Sequence, residues 1–317
     1  MARNKNPVIA LEEHYWDVDL VAMFPGREGK RASELERRMF DMGELRLREM
    51  DEAGIDIQVL SHGAPATQKL DAVTSVRMAV QTNDRLASFV NSKPDRFAAL
   101  AALPTPDPMA AADELERTVN KLGFKGAMIH GLTNGQFIDE LRFWPIFERA
   151  EALDVPVYLH PSFPHPAVID AYYKTYAGEF NWLIGPALGF TVETMTQCVR
   201  LIISGVFQKY PKLKIIVGHL GEGLPFLLWR MDHFLSRPDR PFKEIFEKNF
   251  YLTTSGNFSD IALTASIAAL GVDRIMFSVD WPFATNTEGA DWLKATSLNT
   301  SDKAKVLGGN AAALLKL

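Results

Sequence analysis

Two carboxylates and three imidazoles draw attention because each stands at the end of a short apolar run. They are Glu12 and His14 in ALEEH, His160 in VYLHP, His219 in IIVGHL and Asp280 in SVDWP. Residues two apart on a strand share a face, so Glu12 and His14 point together and Glu13 points away. Glu12, His14, His160 and Asp280 make a mixed nitrogen and oxygen donor set suited to Zn²⁺ or Mn²⁺. A single histidine at a strand end is more often hydrogen-bonded scaffold than a ligand. Four separate strand ends carrying ligand-type side chains favour a metal site, because buried carboxylates need a partner or a cation. Glu13 is read as a support beside the site. His62 and His130 close two further runs and are read as lining the substrate pocket, with a structural role as the alternative. His165 lies in a loop, and His233 is expected to pack or to lie at an interface.

The elements that must position these residues are eight apolar runs: Val8–His14, Ile55–Gly63, Phe97–Pro104, Gly126–Gly131, Val155–Pro161, Lys214–Gly221, Phe250–Gly256 and Arg274–Pro282. Near-continuous apolarity such as PVYLHP and KIIVGH suits parallel strands covered on both faces. Amphipathic segments that end near a glycine separate them, as in PMAAADELERTVNKLG. Eight strand–helix alternations without a break in composition predict one α/β domain over residues 1–317, a (β/α)₈ TIM barrel. Such a barrel builds its active site at the C-terminal strand ends, where the ligand-type residues fall. Lys125 starts the fourth run, so no lysine is placed to bridge two metals, and one ion per subunit is expected. The connections Phe24–Ser33 and Pro161–Pro186 exceed tight turns. The second is rich in aromatic residues and reads as a lid or a subunit contact.

Composition narrows the partners. With 47% hydrophobic and 23% charged residues and a net charge of −5, the chain argues against nucleic acid or an anionic membrane as main partner. Its one cysteine, Cys198, cannot form an intramolecular disulfide and sits in what reads as a helix interior. The N-terminal apolar run is too short for a signal peptide, and no stretch approaches the roughly 20 apolar residues of a membrane span. A cytoplasmic enzyme is the expectation. No nucleotide-binding glycine motif is present.

Taken in order, ALEEH, VYLHP, IIVGHLGEGLPFLLWRMDH, YLTTSGNF and RIMFSVDWPF resemble the ACMSD-like branch of the amidohydrolases. That branch includes the γ-resorcylate, 2,3-dihydroxybenzoate and 5-carboxyvanillate decarboxylases. The resemblance runs from Val8 to the terminal GGNAAALLKL. It implies that Glu12, His14, His160 and Asp280 bind one divalent metal and that Asp280 also donates the proton. It implies that His219 and Glu222 support this transfer and that Arg230 receives a substrate oxyanion. Arg31 resembles an arginine supplied across a subunit interface, which, with the aromatic loop, suggests a homodimer or homotetramer. Glu12 replaces the first histidine of the superfamily's usual His-x-His, a departure shared with the decarboxylases. Phe283 stands where some relatives carry tyrosine, and His62 also departs from the relatives.

The implied activity is non-oxidative decarboxylation of an ortho-hydroxylated aromatic acid. A divalent ion can hold the phenolate and carboxylate oxygens together while Asp280 protonates the ring carbon. Arg230 would offset substrate charge. The alternative is a hydrolase of a lactone or amide that uses the same ligands to activate water.

Overall fold

The computed structural model describes residues 7–26 and 28–317. Parallel strands run in chain order: β1 (Ile9–Tyr15), β2 (Ile57–His62), β3 (Phe97–Ala99), β4 (Ala101–Ala102), β5 (Ala127–His130), β6 (Val157–His160), β7 (Ile215–Val217), β8 (Phe250–Thr253) and β9 (Ile275–Met276). They form the (β/α)₈ barrel expected from the eight runs. The third run supplies both β3 and β4, because it changes partner at its middle. Leu100 N–H bonds Leu60 O, whereas Ala101 N–H bonds Gly126 O. The eighth run is regular only over two residues, shorter than Arg274–Pro282. Past them, Ser278 N–H donates to the Thr254 side chain and Val279 N–H to Glu13, so the regular ladder breaks, and only Gly256 N–H to Val279 O (3.1 Å) still joins the two runs by backbone. The circle between the first and last strands is bridged by Glu12 N–H to Ser278 Oγ (2.6 Å) and His14 N–H to Trp281 O (2.7 Å).

Alternation places Ile9 and Leu11 inside the barrel with Val59, Met128, Tyr158 and Ile216, whereas Ala10 and Tyr15 pack outward against the helices. A strict two-residue period would send Glu13 inward after Leu11. Instead the register between β1 and β2 slips between Ala10 and Glu13. This bulge turns Glu12 and His14 inward and Glu13 outward, the kind of re-aiming that bulges perform beside active sites. The surrounding helices obey the expected stops. Glu44–Ala53 and Pro108–Leu122 end at Gly54 and Gly123, both left-handed with φ of 74° and 77°. Cys198 is fully buried in the helix Gly189–Ser204, and burial pushes its thiol pKa up, away from reactivity. Among the described residues, no helix is long and apolar enough to cross a membrane.

Candidate metal centre and active site

Glu12, His14, His160 and Asp280 bring one ligand atom each to within 4.8 Å of one another at the C-terminal strand ends. His14 Nε2 lies 3.2 Å from Asp280 Oδ1, and His160 Nε2 lies 3.2 Å from Glu12 Oε1. Glu12 Oε1, His14 Nε2 and Asp280 Oδ1 are buried and have no hydrogen-bond partner. Each such orphaned group costs about 1–3 kcal/mol. Three converging on one point fit a cation better than a packed core. Two carboxylate oxygens and two imidazole nitrogens match the preference of Mn²⁺ or Zn²⁺ and balance a divalent charge.

Each ligand is held from behind. Tyr158 and Ser255 donate hydroxyl protons to Glu12 Oε2, leaving Oε1 to face the cluster. Burial alone would raise the Glu12 pKa, but the combined charge of His219, His160 and His14 outweighs it and keeps the carboxyl well below its usual range. Gly218 makes room for this arrangement, since a Cβ there would stand 2.5 Å from Glu12 Oε2. Ser61 Oγ sits 3.2 Å from His14 Nδ1. Asp280 is left-handed (φ 72°), which a non-glycine residue adopts only when its surroundings enforce it. Glu13 does much of that enforcing. Its carboxylate accepts from Ser278 Oγ, Val279 N–H and Trp281 N–H, bracketing residue 280. Burial pushes the Glu13 pKa up to about 8, although all these partners are donors that pull it down.

Beside the cluster, His219, Leu220, Gly221, Glu222 and Gly223 are five consecutive left-handed residues. Three of them have side chains, each at a cost of roughly 1–2 kcal/mol. Asn257 holds the turn by donating to His219 O (3.0 Å), and Ser266 by donating to Leu220 O (3.0 Å). The turn folds Glu222 back so that its Oε1 lies 2.7 Å from His219 Nδ1. His219 Nε2 then points at the cluster, 3.7 Å from Asp280 Oδ2 and 3.9 Å from Glu12 Oε1. Burial would lower the His219 pKa, but Glu222, Glu12 and Asp280 together raise it well above its ordinary value.

A cavity of about 950 Å³ opens over His160, His219, Glu222 and Asp280. Its walls include Phe283, Trp182, Phe190, Lys30, Arg31 and Asn257. The two long connections supply much of this wall. Phe283 lies 5.8 Å from the His14 ring, centroid to centroid.

Three expectations need correction. His62 and His130 do not line the cavity. Both are buried beside the ligands: His130, level with His160 across the β5–β6 pair, turns its Nδ1 onto His160 Nδ1 at 2.9 Å, and His62 spends its Nδ1 on Gly63 O at 2.7 Å. Burial lowers the His62 pKa to about 4. Arg230 is also absent from the cavity wall. It lies nearly two turns along the helix Leu224–Leu235, exposed, with its guanidinium 5.7 Å from the Phe234 ring centre. Arg31 stands on the cavity wall of its own chain, 5.3 Å from the Trp16 ring centre. Arg27, within the same connection, lies outside the described residues.

Sequence reasoning missed Tyr158, Ser255, Asn257 and Arg46. Thr253, Ser255 and Asn257 in YLTTSGNF recur every second residue, a readable signal that one polar face points at the site. Arg46 gave no signal. It is wholly buried, donates to His14 O (2.6 Å) and lies 3.9 Å from the Trp281 ring centre.

The Amidohydrolase family profile matches residues 12–317, and the chain belongs to that family. Among curated relatives, the γ-resorcylate decarboxylase of Polaromonas sp. is 43% identical over 98% of this chain and 99% of its own length. The γ-resorcylate decarboxylase of Rhizobium sp. is 42% identical, covering 98% of each chain. A crystal structure of dihydroxybenzoic acid decarboxylase from Polaromonas sp., with bound manganese and the inhibitor 2-nitroresorcinol, superposes with a TM-score of 0.89 at 42% identity. It covers 98% of this chain and 97% of that one. The 5-carboxyvanillate decarboxylase of Sphingomonas paucimobilis has a TM-score of 0.92 at 31% identity, covering 99% and 100%.

Proposed function

We propose that the protein is a metal-dependent, non-oxidative decarboxylase of an ortho-hydroxylated benzoate, with 2,6-dihydroxybenzoate as the favoured substrate. The observation that carries this reading is the Glu12, His14, His160, Asp280 cluster with the His219–Glu222 pair turned onto Asp280. The decarboxylase relatives and the manganese in a neighbouring structure support it. When bound, the divalent ion supplies a Lewis-acidic charge that gathers the phenolic and carboxylate oxygens.

The residues of this chain divide the remaining work. Asp280, protonated as the substrate phenol enters, delivers that proton to the ring carbon bearing the carboxylate. The C–H bond forms first. The bond to the carboxylate then breaks, its electron pair restores the aromatic ring, and CO₂ leaves. Giving up that proton leaves Asp280 the carboxylate it was before the substrate entered, and the product phenolate regains a proton from solvent. His219, oriented by Glu222 and 3.7 Å from Asp280 Oδ2, steadies the proton while Asp280 holds it. Arg31 and Lys30 on the cavity wall offset the charge of the substrate. Phe283 and Trp182 flank the ring.

A homo-oligomer accompanies this reading. Phe226, Trp229 and Phe234 stand 82%, 76% and 61% exposed on one helix, more apolar surface than scattered single residues explain. Arg230 belongs to the same segment, so a subunit contact is the role now assigned to it in place of substrate binding. Light scattering should give a dimer or tetramer, and a fully active monomer would remove this part.

The activity is tested by CO₂ release from a panel of hydroxybenzoates. The expected result is turnover of 2,6-dihydroxybenzoate and none of its 2,6-dimethoxy counterpart, which cannot form a phenolate. Equal rates on both would contradict the reading, and ring opening of a lactone without CO₂ release would favour a hydrolase.

A further inference from the structure

We propose that His130 is a positioning residue for the metal centre, a neutral imidazole that accepts the Nδ1 proton of His160 and so fixes the His160 tautomer whose Nε2 faces the ion. The proposal rests on the metal-binding reading above. His130 and His160 are register partners on adjacent strands β5 and β6, which sets their side chains next to each other on the same face. Their Nδ1 atoms lie 2.9 Å apart, and their rings meet edge to face with centroids 4.7 Å apart. Two imidazole nitrogens at that distance can bond only if one donates and the other accepts.

The direction follows from the ligand set. His160 Nε2 faces Glu12 Oε1 within the cluster, so a ligating His160 must keep its proton on Nδ1. His130 Nδ1 is then the acceptor, and the His130 proton sits on Nε2. The same His160 N–H also approaches Pro161 O at 2.6 Å, so the proton is shared between two acceptors.

His130 is itself held for this task. The amide of Gln68, buried and 62 residues away in sequence, donates to His130 O and accepts from His130 N–H, both at 2.8 Å. This clamp imitates a strand partner and fixes the Cα from which the imidazole extends. Metal-bound histidines commonly donate their second N–H to a carboxylate or carbonyl. Here Glu12 and Asp280 already balance a divalent ion, and a neutral acceptor directs His160 without adding a third negative charge to a closed site.

The test uses zinc affinity of the full chain without substrate, measured by competition with a chromophoric chelator. His130→Phe removes the acceptor. His130→Asn places Oδ1 where Nδ1 stands, and His130→Gln places its amide near Nε2 instead. The expected result is a loss of roughly 10–100-fold for Phe and Gln, with Asn keeping most of the native affinity. Thermal midpoints of the metal-free variants establish that all are folded, and a merely structural histidine would not sort Asn from Gln. Native affinity in His130→Phe, or an Asn variant as weak as Phe, overturns the proposal. A native protein that binds no zinc or manganese would instead remove the metal reading on which it stands.

Discussion

The floor of the cavity and its rim are held in place by different means. On the floor, every ligand to the cluster is pinned by a second buried group: Glu12 by Tyr158 and Ser255, His14 by Ser61, His160 by His130, the backbone around Asp280 by Glu13. On the rim, Trp182 and Phe283 stand 66% and 47% exposed and are carried on connections between elements. Floor residues cannot change without stranding a buried partner, whereas rim residues can change at little cost in stability. The proposed function accordingly places reaction chemistry in the floor and substrate choice in the rim.

Breaking the floor at its reactive end gives the largest effect. Asp280→Asn should keep a bound metal on three remaining ligands yet lose turnover by about 10²–10⁴-fold, measured as single-turnover CO₂ release beside metal content. Loss of the ion with the activity would show that Asp280 serves binding alone. Breaking the floor at its support should be felt in stability. Glu13→Ala strands the buried Val279 and Trp281 N–H groups, each at about 1–3 kcal/mol, for an expected cost of about 2–5 kcal/mol. Urea unfolding with an unchanged midpoint would disprove the bracing role.

A pH effect tests the ground beneath the rim. Glu193 is buried in the helix Gly189–Ser204, one carboxyl oxygen has no partner, and burial raises its pKa to about 7 against the pull of Arg200. A raised acid stabilises the fold while protonated. That contribution is complete below the unfolded value of 4.5 and is lost as pH rises through about 7. Glu193→Gln should therefore be more stable than the native chain at pH 8, by about 2 kcal/mol after allowance for solvent screening, and equal to it at pH 4. Equal thermal midpoints at both pH values would contradict this. The smallest effect belongs to the rim itself. Arg31→Ala should raise KM by about tenfold and leave kcat nearly unchanged, because it removes binding shared by substrate and transition state. A loss confined to kcat would move Arg31 into the reaction.

The same division explains what could be read without a structure. Strand ends bearing Glu12, His14, His160 and Asp280 were legible because barrel strands are short, apolar and closed by their functional residues. The outward turn of Glu13 followed from period two only because a bulge had already shifted the phase at Leu11–Glu12, which no local pattern announces. His62 and His130 looked like pocket residues because they also end strands; their rings are instead turned onto Gly63 O and His160, contacts that only the tertiary packing sets. Arg230 lay close in sequence to GHLGEG, but helical rise carries it away from the site. Arg46 was invisible, since a buried arginine on an amphipathic helix reads as surface until its partners His14 O and Trp281 are known.

The central claim is that a single divalent ion on Glu12, His14, His160 and Asp280 is required for decarboxylation. It is tested most directly by stripping the protein with a chelator, restoring Mn²⁺ in measured steps, and following CO₂ release from 2,6-dihydroxybenzoate. The stripped protein should release no CO₂, and activity should rise linearly to a plateau at one ion per chain. Full activity in the stripped protein, or a plateau only at two ions per chain, would contradict the claim.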